Sequence, residues 1–260
     1  MIGIIYFVAI IIANTLGAIS GMGGGVLIKP IFDFIGVDSV AVISFYSSVA
    51  VFTMSLVSTT RQLQNGISFD KRNVTWLSLG ALIGGIFGNQ LLDEMLMSFS
   101  NDQHVKLVQI SLTIITLLFA LFYNNLDLKN LSLREVHWYF LCGLILGCLA
   151  SLLGIGGGPI NVSLLMLLFN LPIKQAGVYS IATILFSQLA KIITITIGSG
   201  LATFDMSRLL WIIPAAVIGG LLGARLSRIL SEQKIQLVFN AMIILVIIIN
   251  LYNAWSMKAV

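Results

Sequence analysis

Charged residues are scarce in this sequence. Of its 260 residues only 9% are Asp, Glu, Lys or Arg, whereas a soluble domain carries roughly 25%. This scarcity excludes a disordered chain and argues strongly against an ordinary soluble enzyme. The 14 basic and 10 acidic residues are also too few and too scattered to form a nucleic-acid surface.

Cysteine and histidine are nearly absent as well. Cys142 and Cys148 are the only cysteines and share one apolar run, so on a helix they point to different faces, and we expect two small apolar fillers. This pattern predicts neither a disulfide framework nor a metal site. His104 and His137 sit at segment ends, and no Asp or Glu lies well inside a long apolar run, which weakens the case for proton coupling.

Hydrophobic residues dominate the composition instead. They make up 58% of the chain, and the mean hydropathy is +1.03. The apolar runs are continuous, whereas membrane barrels alternate apolar and polar residues, so we expect helical spans. At about 20 residues per span the chain has room for about eight to ten membrane segments. Residues 1–21 have no basic residue before their apolar run and are predicted to form the first of these segments.

Charges and glycines divide the sequence into eight long apolar runs and two short ones. The short runs, 26–36 and 159–171, each follow a glycine cluster. They would reach only about 16–20 Å as helices, against a bilayer core of about 30 Å, so we expect half-helices or re-entrant segments. The long runs are 2–20, 40–60, 74–92, 105–123, 137–153, 176–197, 209–224 and 235–253.

The sequence also repeats itself. Gly21-Met22-Gly23-Gly24-Gly25 recurs as Gly154-Ile155-Gly156-Gly157-Gly158, at an offset of 133 residues. Further matches follow in the same order, which predicts a duplicated unit with a first repeat at 1–125, a linker at 126–136 and a second repeat at 137–260. The further matches are Tyr46-Ser47 with Tyr179-Ser180, Phe69-Asp70 with Phe204-Asp205, Ile83-Gly84-Gly85 and Gly88 with Ile218-Gly219-Gly220 and Gly223, and Leu107-Val108 with Leu237-Val238.

The basic residues change places between equivalent loops. Loops 61–73 and 224–234 are rich in Lys and Arg, whereas their counterparts, 198–208 and 89–106, are not. The positive-inside rule puts the basic loops and the linker in the cytoplasm and both termini outside. We therefore expect an all-α polytopic membrane protein built as an inverted repeat of two homologous halves. Each half would have four long helices plus one glycine-broken half-helix that supplies the odd crossing.

Four glycines in five residues break a helix rather than merely thin it. Non-helical backbone at membrane depth is tolerated only where protein or water covers it. The half-helix that follows each cluster would present four unpaired N–H groups and the positive end of its dipole, and two such ends could face each other across one cavity. This arrangement predicts an anionic substrate near the midplane. Helix packing remains the alternative, and it is the preferred interpretation for Gly84-Gly85-Gly88 and Gly219-Gly220-Gly223. A dinucleotide fingerprint is excluded because no strand precedes the cluster.

Several polar side chains are candidates for the substrate path. Lys191 has apolar residues on both sides and is either functional or a lysine that snorkels to the interface; Arg61 and Lys29 leave the same choice open. The hydroxyls of the matched Tyr-Ser pairs either bind oxyanion oxygens or link helices. The predicted substrate-binding residues are Gly21, Gly23, Gly24, Gly25, Gly154, Gly156, Gly157, Gly158, Tyr46, Ser47, Tyr179, Ser180, Lys191 and Arg61. Weaker candidates are Asn14, Ser20, Ser151, Asn161, Ser163, Thr183 and Gln188.

The two glycine motifs, the duplication and the length together resemble the TauE/SafE sulfite exporter family over essentially the whole chain. The resemblance implies transport of sulfite, sulfonates or sulfur-containing organic acids, in either direction. The two motifs differ in one respect, since Pro30 lies five residues after the first cluster, where the second half has Ser163, and Pro159 follows the second cluster directly. We therefore expect the two half-helices to start differently, which would make the site asymmetric.

We therefore expect a secondary carrier for a small sulfur-containing anion, working by alternating access. The alternatives are an anion channel and a transporter of a non-sulfur organic anion. An intramembrane enzyme is not expected, because only Ser187 and Lys191 could pair as nucleophile and base. The expected partners are a small anion and the bilayer of the plasma or inner membrane, with a homodimer left open. No nucleic acid, cofactor or metal is expected.

Overall fold

The structure is a computed structural model that describes residues 2–64, 70–99, 101–125, 130–198, 200–201 and 203–258. Within these ranges all the regular secondary structure is helical, including a short 3-10 turn at Met206–Arg208. Phe69 and Lys129, which the sequence places in a repeat match and in the linker, lie outside the described residues. The helices are α1 (Ile2–Ser20), α2 (Gly25–Ile35), α3 (Val40–Gln64), α4 (Lys71–Ser98), α5 (Asp102–Asn125), α6 (Val136–Leu152), α7 (Pro159–Phe169), α8 (Ile173–Ile197), α9 (Leu209–Ile229) and α10 (Glu232–Lys258).

Seven of these helices are long and apolar enough to cross a membrane, which confirms an all-helical, multi-pass membrane protein. The eighth predicted long run, 137–153, forms α6, whose 17 residues fall short of the about 20 that a full crossing needs. The expectation of four long helices in each half is therefore not confirmed for the second half. Helix α6 ends before it reaches that length, because the chain reverses direction at Gly154.

Each glycine cluster separates a longer helix from a short one, as predicted. We call the segments Gly21–Gly25 and Gly154–Gly158 the first and second glycine turns. The short helices α2 and α7 begin at Gly25 and Pro159 and have 11 residues each. Pro159 occupies the first turn of α7, where its missing N–H costs no hydrogen bond.

Small residues bring the helices into close contact. The most extensive contacts are those of α4 with α6 and of α1 with α9. A methyl group on Gly84 or Gly88 would overlap backbone atoms of α6, and one on Gly219 or Gly223 would overlap atoms of α1. The packing interpretation of these glycines is thus confirmed, since any side chain would force the helices apart.

Helices α3 and α8 contact each other in the interior of the bundle and are among its most buried elements. Helix α3 also packs against α9, and α8 packs against α4. Both glycine turns lie against this central pair, so α3 and α8 form the walls of any site at the turns.

The loops separate into two ends of the bundle. Tyr179, near the start of α8, accepts a hydrogen bond from the Asp70 N–H at the start of α4. Leu131 N donates to Leu167 O at the end of α7, and Arg61 shares a groove with Arg225. We call this the basic end. Three loops that the sequence assigns to the cytoplasm contribute to it.

The other end, which we call the Arg208 end, is marked by Tyr6, Asp38, Tyr46, Asp205 and Arg208. These residues come from the start of α1, the α2–α3 loop, α3 and the segment before α9. Hydrogen bonds and ion pairs connect them. The two ends therefore consist of loops from different parts of the chain.

Candidate functional site

The two glycine turns have similar backbone dihedral angles at their first and third residues, but differ at the fourth, where Gly24 has a φ of −73° and Gly157 a φ of 125°. Gly21 and Gly23 have φ values of 77° and 80°, and Gly154 and Gly156 have φ values of 67° and 66°. This left-handed region is open to glycine and strained for other residues. The glycines thus allow the chain to reverse direction twice in the interior of the bundle.

The hydrogen bonds of the two turns also correspond. Gly23 N donates to Gly17 O over 3.2 Å, and Gly156 N donates to Ala150 O over 3.3 Å. Both donors and both acceptors are separated by the 133-residue offset of the repeat. The sequence match at the glycines therefore extends to backbone geometry.

The two turns pack directly against each other. A methyl group on Gly25 would overlap the carbonyl oxygen of Ile155, and one on Gly23 would lie 3.6 Å from Gly156 O. In this structure the two helix starts meet in contact rather than across an open cavity. A bound anion therefore requires some separation of the turns or a position beside them.

The half-helices offer fewer free N–H groups than the four expected. Leu27 N donates to Gly24 O and Asn161 N donates to Gly158 O, each over 3.0 Å. Pro159 has no N–H. The expectation is wrong because the first turn of each short helix partly satisfies its own donors, so side chains must supply more of any anion site.

Lys191 is the most informative of these side chains. It is fully buried, and its ammonium donates to Ser44 Oγ and to Ser151 O, each over 2.6 Å. This geometry excludes snorkelling to the interface. Ser44 lies on α3 and Ser151 at the end of α6, so the ammonium sits where three helices converge beside the second glycine turn.

Lys29 approaches the same turn but is already paired. Its ammonium lies 2.6 Å from Asp33 Oδ2, with both side chains only 4% exposed. Lys106 Nζ lies 3.6 Å from the other oxygen of Asp33. Lys29 is thus not a free cation. Sequence reasoning missed Asp33, although its (i, i+4) spacing from Lys29 is the signal that predicts such a pair.

The matched tyrosines lie toward the two ends of the bundle. Tyr46 OH donates to Asp205 O, and Tyr179 OH accepts from Asp70 N, each over 3.1 Å. In this structure both hydroxyls hydrogen-bond to backbone of loops rather than line the glycine turns.

The matched serines differ from each other. Ser180 Oγ donates to Gly21 O over 2.6 Å. Ser47 Oγ is buried without a hydrogen-bond partner among the described residues, as are Ser151 Oγ, Ser163 Oγ and Asn161 Nδ2. Buried polar groups normally have partners, so these donors represent unused capacity close to the turns.

Arg61 is not brought to the turns. It is exposed and lies about 25 Å further along α3 than Ser44, at 1.5 Å per residue. It lines a groove at the basic end together with Leu221, Leu222 and Arg225. In the part of the chain that the structure describes, no group of three or more His, Cys, Asp or Glu could hold a metal ion.

The comparison with known families agrees with this geometry. The family model described as sulfite exporter TauE/SafE matches residues 6–250, which include both glycine turns. The chain belongs to the TauE/SafE sulfite exporter family. It is therefore a membrane transporter.

Two relatives extend the TauE/SafE comparison. The probable membrane transporter protein YunE of Bacillus subtilis is 25% identical over 262 residues, which cover 91% of this chain and 92% of the relative. A probable membrane transporter protein of Methanocaldococcus jannaschii is 26% identical over 193 residues, or 70% of this chain and 68% of the relative. No solved structure gives a significant match.

Aromatic side chains stack toward both ends of this TauE/SafE transporter. Tyr6 and Phe32 stack with ring centroids 3.8 Å apart at the Arg208 end. Tyr139 and Phe169 stack at 3.7 Å at the basic end. We call these two stacks the aromatic layers.

Among the described residues, ion pairs reinforce the layer at the Arg208 end. The guanidinium of Arg208 pairs with Asp38 and lies 3.5 Å from Asp205. It also lies over the rings of Tyr6 and Tyr46, at 5.8 and 5.7 Å from their centroids. The Arg208 end thus has a cation held by two carboxylates and two aromatic faces.

Proposed function

We propose that this TauE/SafE transporter carries a small sulfur-containing anion, such as sulfite or an organosulfonate, bound beside the second glycine turn. The observation that carries the proposal is Lys191, a fully buried ammonium whose two hydrogen-bond acceptors, Ser44 Oγ and Ser151 O, are neutral. The carboxylate of Asp93 acts on Lys191 electrostatically but forms no ion pair with it, and accepts a hydrogen bond from Asn89 Nδ2 instead. A buried charge without a contacting counter-charge is costly. An anion at this point would supply the counter-charge.

The surrounding groups suit an oxyanion. Hydrogen bonds from an ammonium to an anionic oxygen are shorter and stronger than bonds to neutral oxygen, so an oxyanion competes well for Lys191. Ser47, Ser151 and Asn161 supply unused donors to the remaining oxygens. Sulfur is the preferred central atom because the matching family model is described as a sulfite exporter.

We further propose that the halves 1–125 and 137–260 form an inverted repeat that works by alternating access. The corresponding turn geometry supports this, as do the helix contacts, in which α1 packs on α9 of the other half and α6 packs on α4. Opening one aromatic layer while the other stays closed would expose the site to one side of the membrane at a time.

In a cell membrane with a negative interior, such a carrier favours export. A potential of 100 mV contributes about 2.3 kcal/mol per charge, and about 4.6 kcal/mol for a dianion. Export therefore needs no coupled ion.

The test is sulfite flux in proteoliposomes whose potential is set with valinomycin. Lys191→Met keeps an unbranched side chain of similar length but removes the charge, and we expect flux at least about 100-fold below wild type. Lys234→Met removes a lysine that is exposed at the start of α10 and should transport normally.

The outcomes discriminate between the candidates. Normal flux by Lys191→Met overturns the proposed site. Unitary currents without counterflow would indicate a channel, and flux of carboxylates but not of sulfite or sulfonates would overturn the substrate class. Protection of the wild type from thermal unfolding by millimolar sulfite, lost in Lys191→Met but kept in Lys234→Met, measures binding separately from flux.

A further inference from the structure

A groove on the outside of the bundle combines basic and apolar groups. It has a volume of about 410 Å³ and lies between the ends of α3 and α9. Its lining consists of Arg61 from α3 and Leu221, Leu222, Arg225 and Arg228 from α9. The groove plays no part in the proposed anion site, which lies beside the second glycine turn.

The residues of α9 in this groove are ordered along the helix. Leu221 and Leu222 come first, Arg225 follows about one turn later, and Arg228 lies a further turn toward the basic end. The spacing of three and four residues places these side chains on one helix face. The face changes from apolar to basic over about 10 Å. A phospholipid likewise changes from apolar acyl chain to charged headgroup along its length.

The apolar part of the groove is exposed. Leu221 is 36% and Leu222 45% exposed, which in a membrane protein means contact with acyl chains. None of the described residues that line the groove is acidic, and the hydrogen bond that Arg61 donates among them, 3.4 Å long, goes to the neutral Gln64 Oε1. Arg61 and Arg225 therefore place positive charge at the level where headgroups lie.

We propose that this groove binds the headgroup of an anionic phospholipid. The guanidinium groups of Arg61 and Arg225 would donate to the phosphate oxygens in the forked geometry that arginine offers. One acyl chain would lie along Leu221 and Leu222. The positive-inside rule puts the basic end in the cytoplasmic leaflet, which carries anionic lipid. The proposal does not depend on which solute the protein transports.

The test is native mass spectrometry of the full-length protein with added phosphatidylglycerol or phosphatidylcholine. We expect the wild type to retain phosphatidylglycerol preferentially. The double variant Arg61→Gln, Arg225→Gln should bind it about tenfold or more weakly. The matched control is Arg72→Gln, Lys234→Gln, which removes the same charge from exposed positions at the same end and should keep the preference.

Two further measurements test the alternative explanations, misfolding and binding of soluble anions. Arg61→Lys, Arg225→Lys keeps the charge without the fork and should retain part of the preference, which a misfolded protein would not. Equal retention of both lipids by the wild type, or an unchanged preference in the glutamine variant, overturns the proposal. Displacement of the lipid by millimolar inorganic phosphate or sulfite also overturns it and marks the groove as a vestibule for soluble anions.

Discussion

The two glycine turns share a pair of left-handed glycines but differ in their environment. At the first turn a methyl group on Gly21 would overlap the Cα atom of Gly177 on α8, and Ser180 Oγ already donates to Gly21 O. At the second turn a methyl group on Gly154 would lie 2.8 Å from Ser44 Oγ and 3.4 Å from Lys29 Cε. The first turn thus meets backbone at Gly21 and the Asn14 side-chain amide at Gly24, whereas the second meets a hydroxyl and a cationic side chain at Gly154.

Single substitutions within the repeat account for this difference. The residues that surround the second turn have small or apolar counterparts at the 133-residue offset. In the proposed repeat, the matched residues supply the scaffold and the unmatched residues supply the positive charge, so that two similar turns hold one cationic site. The pairs are Ser44 with Gly177, Lys191 with Ser58, and Lys29 with Val162.

The largest expected effect comes from adding one methyl group at each turn. Alanine in the left-handed region costs about 1–2 kcal/mol, and Gly21→Ala also forces a methyl into the backbone of Gly177, for a total above about 3 kcal/mol. Gly154→Ala meets side chains that can move, so we expect it to fold but to lose transport, because the methyl group enters the polar site. Yield after size exclusion and thermal unfolding measure the first effect, and sulfite flux measures the second.

Equal stability of these two alanine variants would contradict the contrast between the turns. Gly200→Ala is a useful reference, because Gly200 has a φ of 73° with no atom within 4 Å of its added methyl group among the described residues. It should show the backbone strain alone.

The next effect tests whether Ser44 belongs to the anion site. Ser44→Ala makes the second turn resemble the first and removes one acceptor of Lys191, together with a hydroxyl that can turn toward an anion. We expect the KM for sulfite to rise about tenfold, with a loss of stability of about 1–3 kcal/mol because the buried ammonium loses one acceptor. Ser48→Ala is the control, since its buried Oγ donates only to Ser44 O within α3. An equal KM change in both variants would assign the effect to helix packing.

The helices themselves follow closely from the sequence. The predicted runs at 2–20 and 159–171 correspond to α1 and α7, because apolar length and glycine clusters are local signals. The charged partners are not local. Arg208 and Asp38 are 170 residues apart, and hydropathy carries no signal for such a pairing. The place of Arg61 at an outer groove likewise depends on how α3 packs on α9.

The two ends of the bundle give a smaller contrast. Arg208 and Asp38 hold one end, whereas the repeat places Asn73 and Leu171 at the equivalent positions of the other. Arg208→Gln should loosen only its own end. We expect amide hydrogen exchange in residues 36–39 to become about fivefold faster or more, with no change in residues 170–171.

Arg72→Gln, a charge removal at the basic end, is the matched control for the exchange experiment. It should leave exchange in residues 36–39 unchanged. Uniformly faster exchange at both ends in Arg208→Gln would mean that the ion pair stabilises the whole bundle rather than one layer.

The smallest effect concerns the aspartates that begin corresponding helices. Asp70 accepts from Arg72 N at 2.9 Å, whereas Asp205 accepts from both Ser207 N at 3.0 Å and Ser207 Oγ at 2.6 Å. The hydrogen bonds from Ser207 hold the pKa of Asp205 below its usual value. A carboxyl with a lowered pKa in the folded state contributes stability above its unfolded pKa and loses it as the pH falls through the folded pKa.

Ser207→Ala should therefore make the acid loss of thermal stability begin at higher pH, measured by thermal unfolding between about pH 3 and 6. Ser207→Thr keeps the hydroxyl and should follow the wild type, and superposable curves for Ser207→Ala and wild type would show that this cap adds nothing at the Arg208 end.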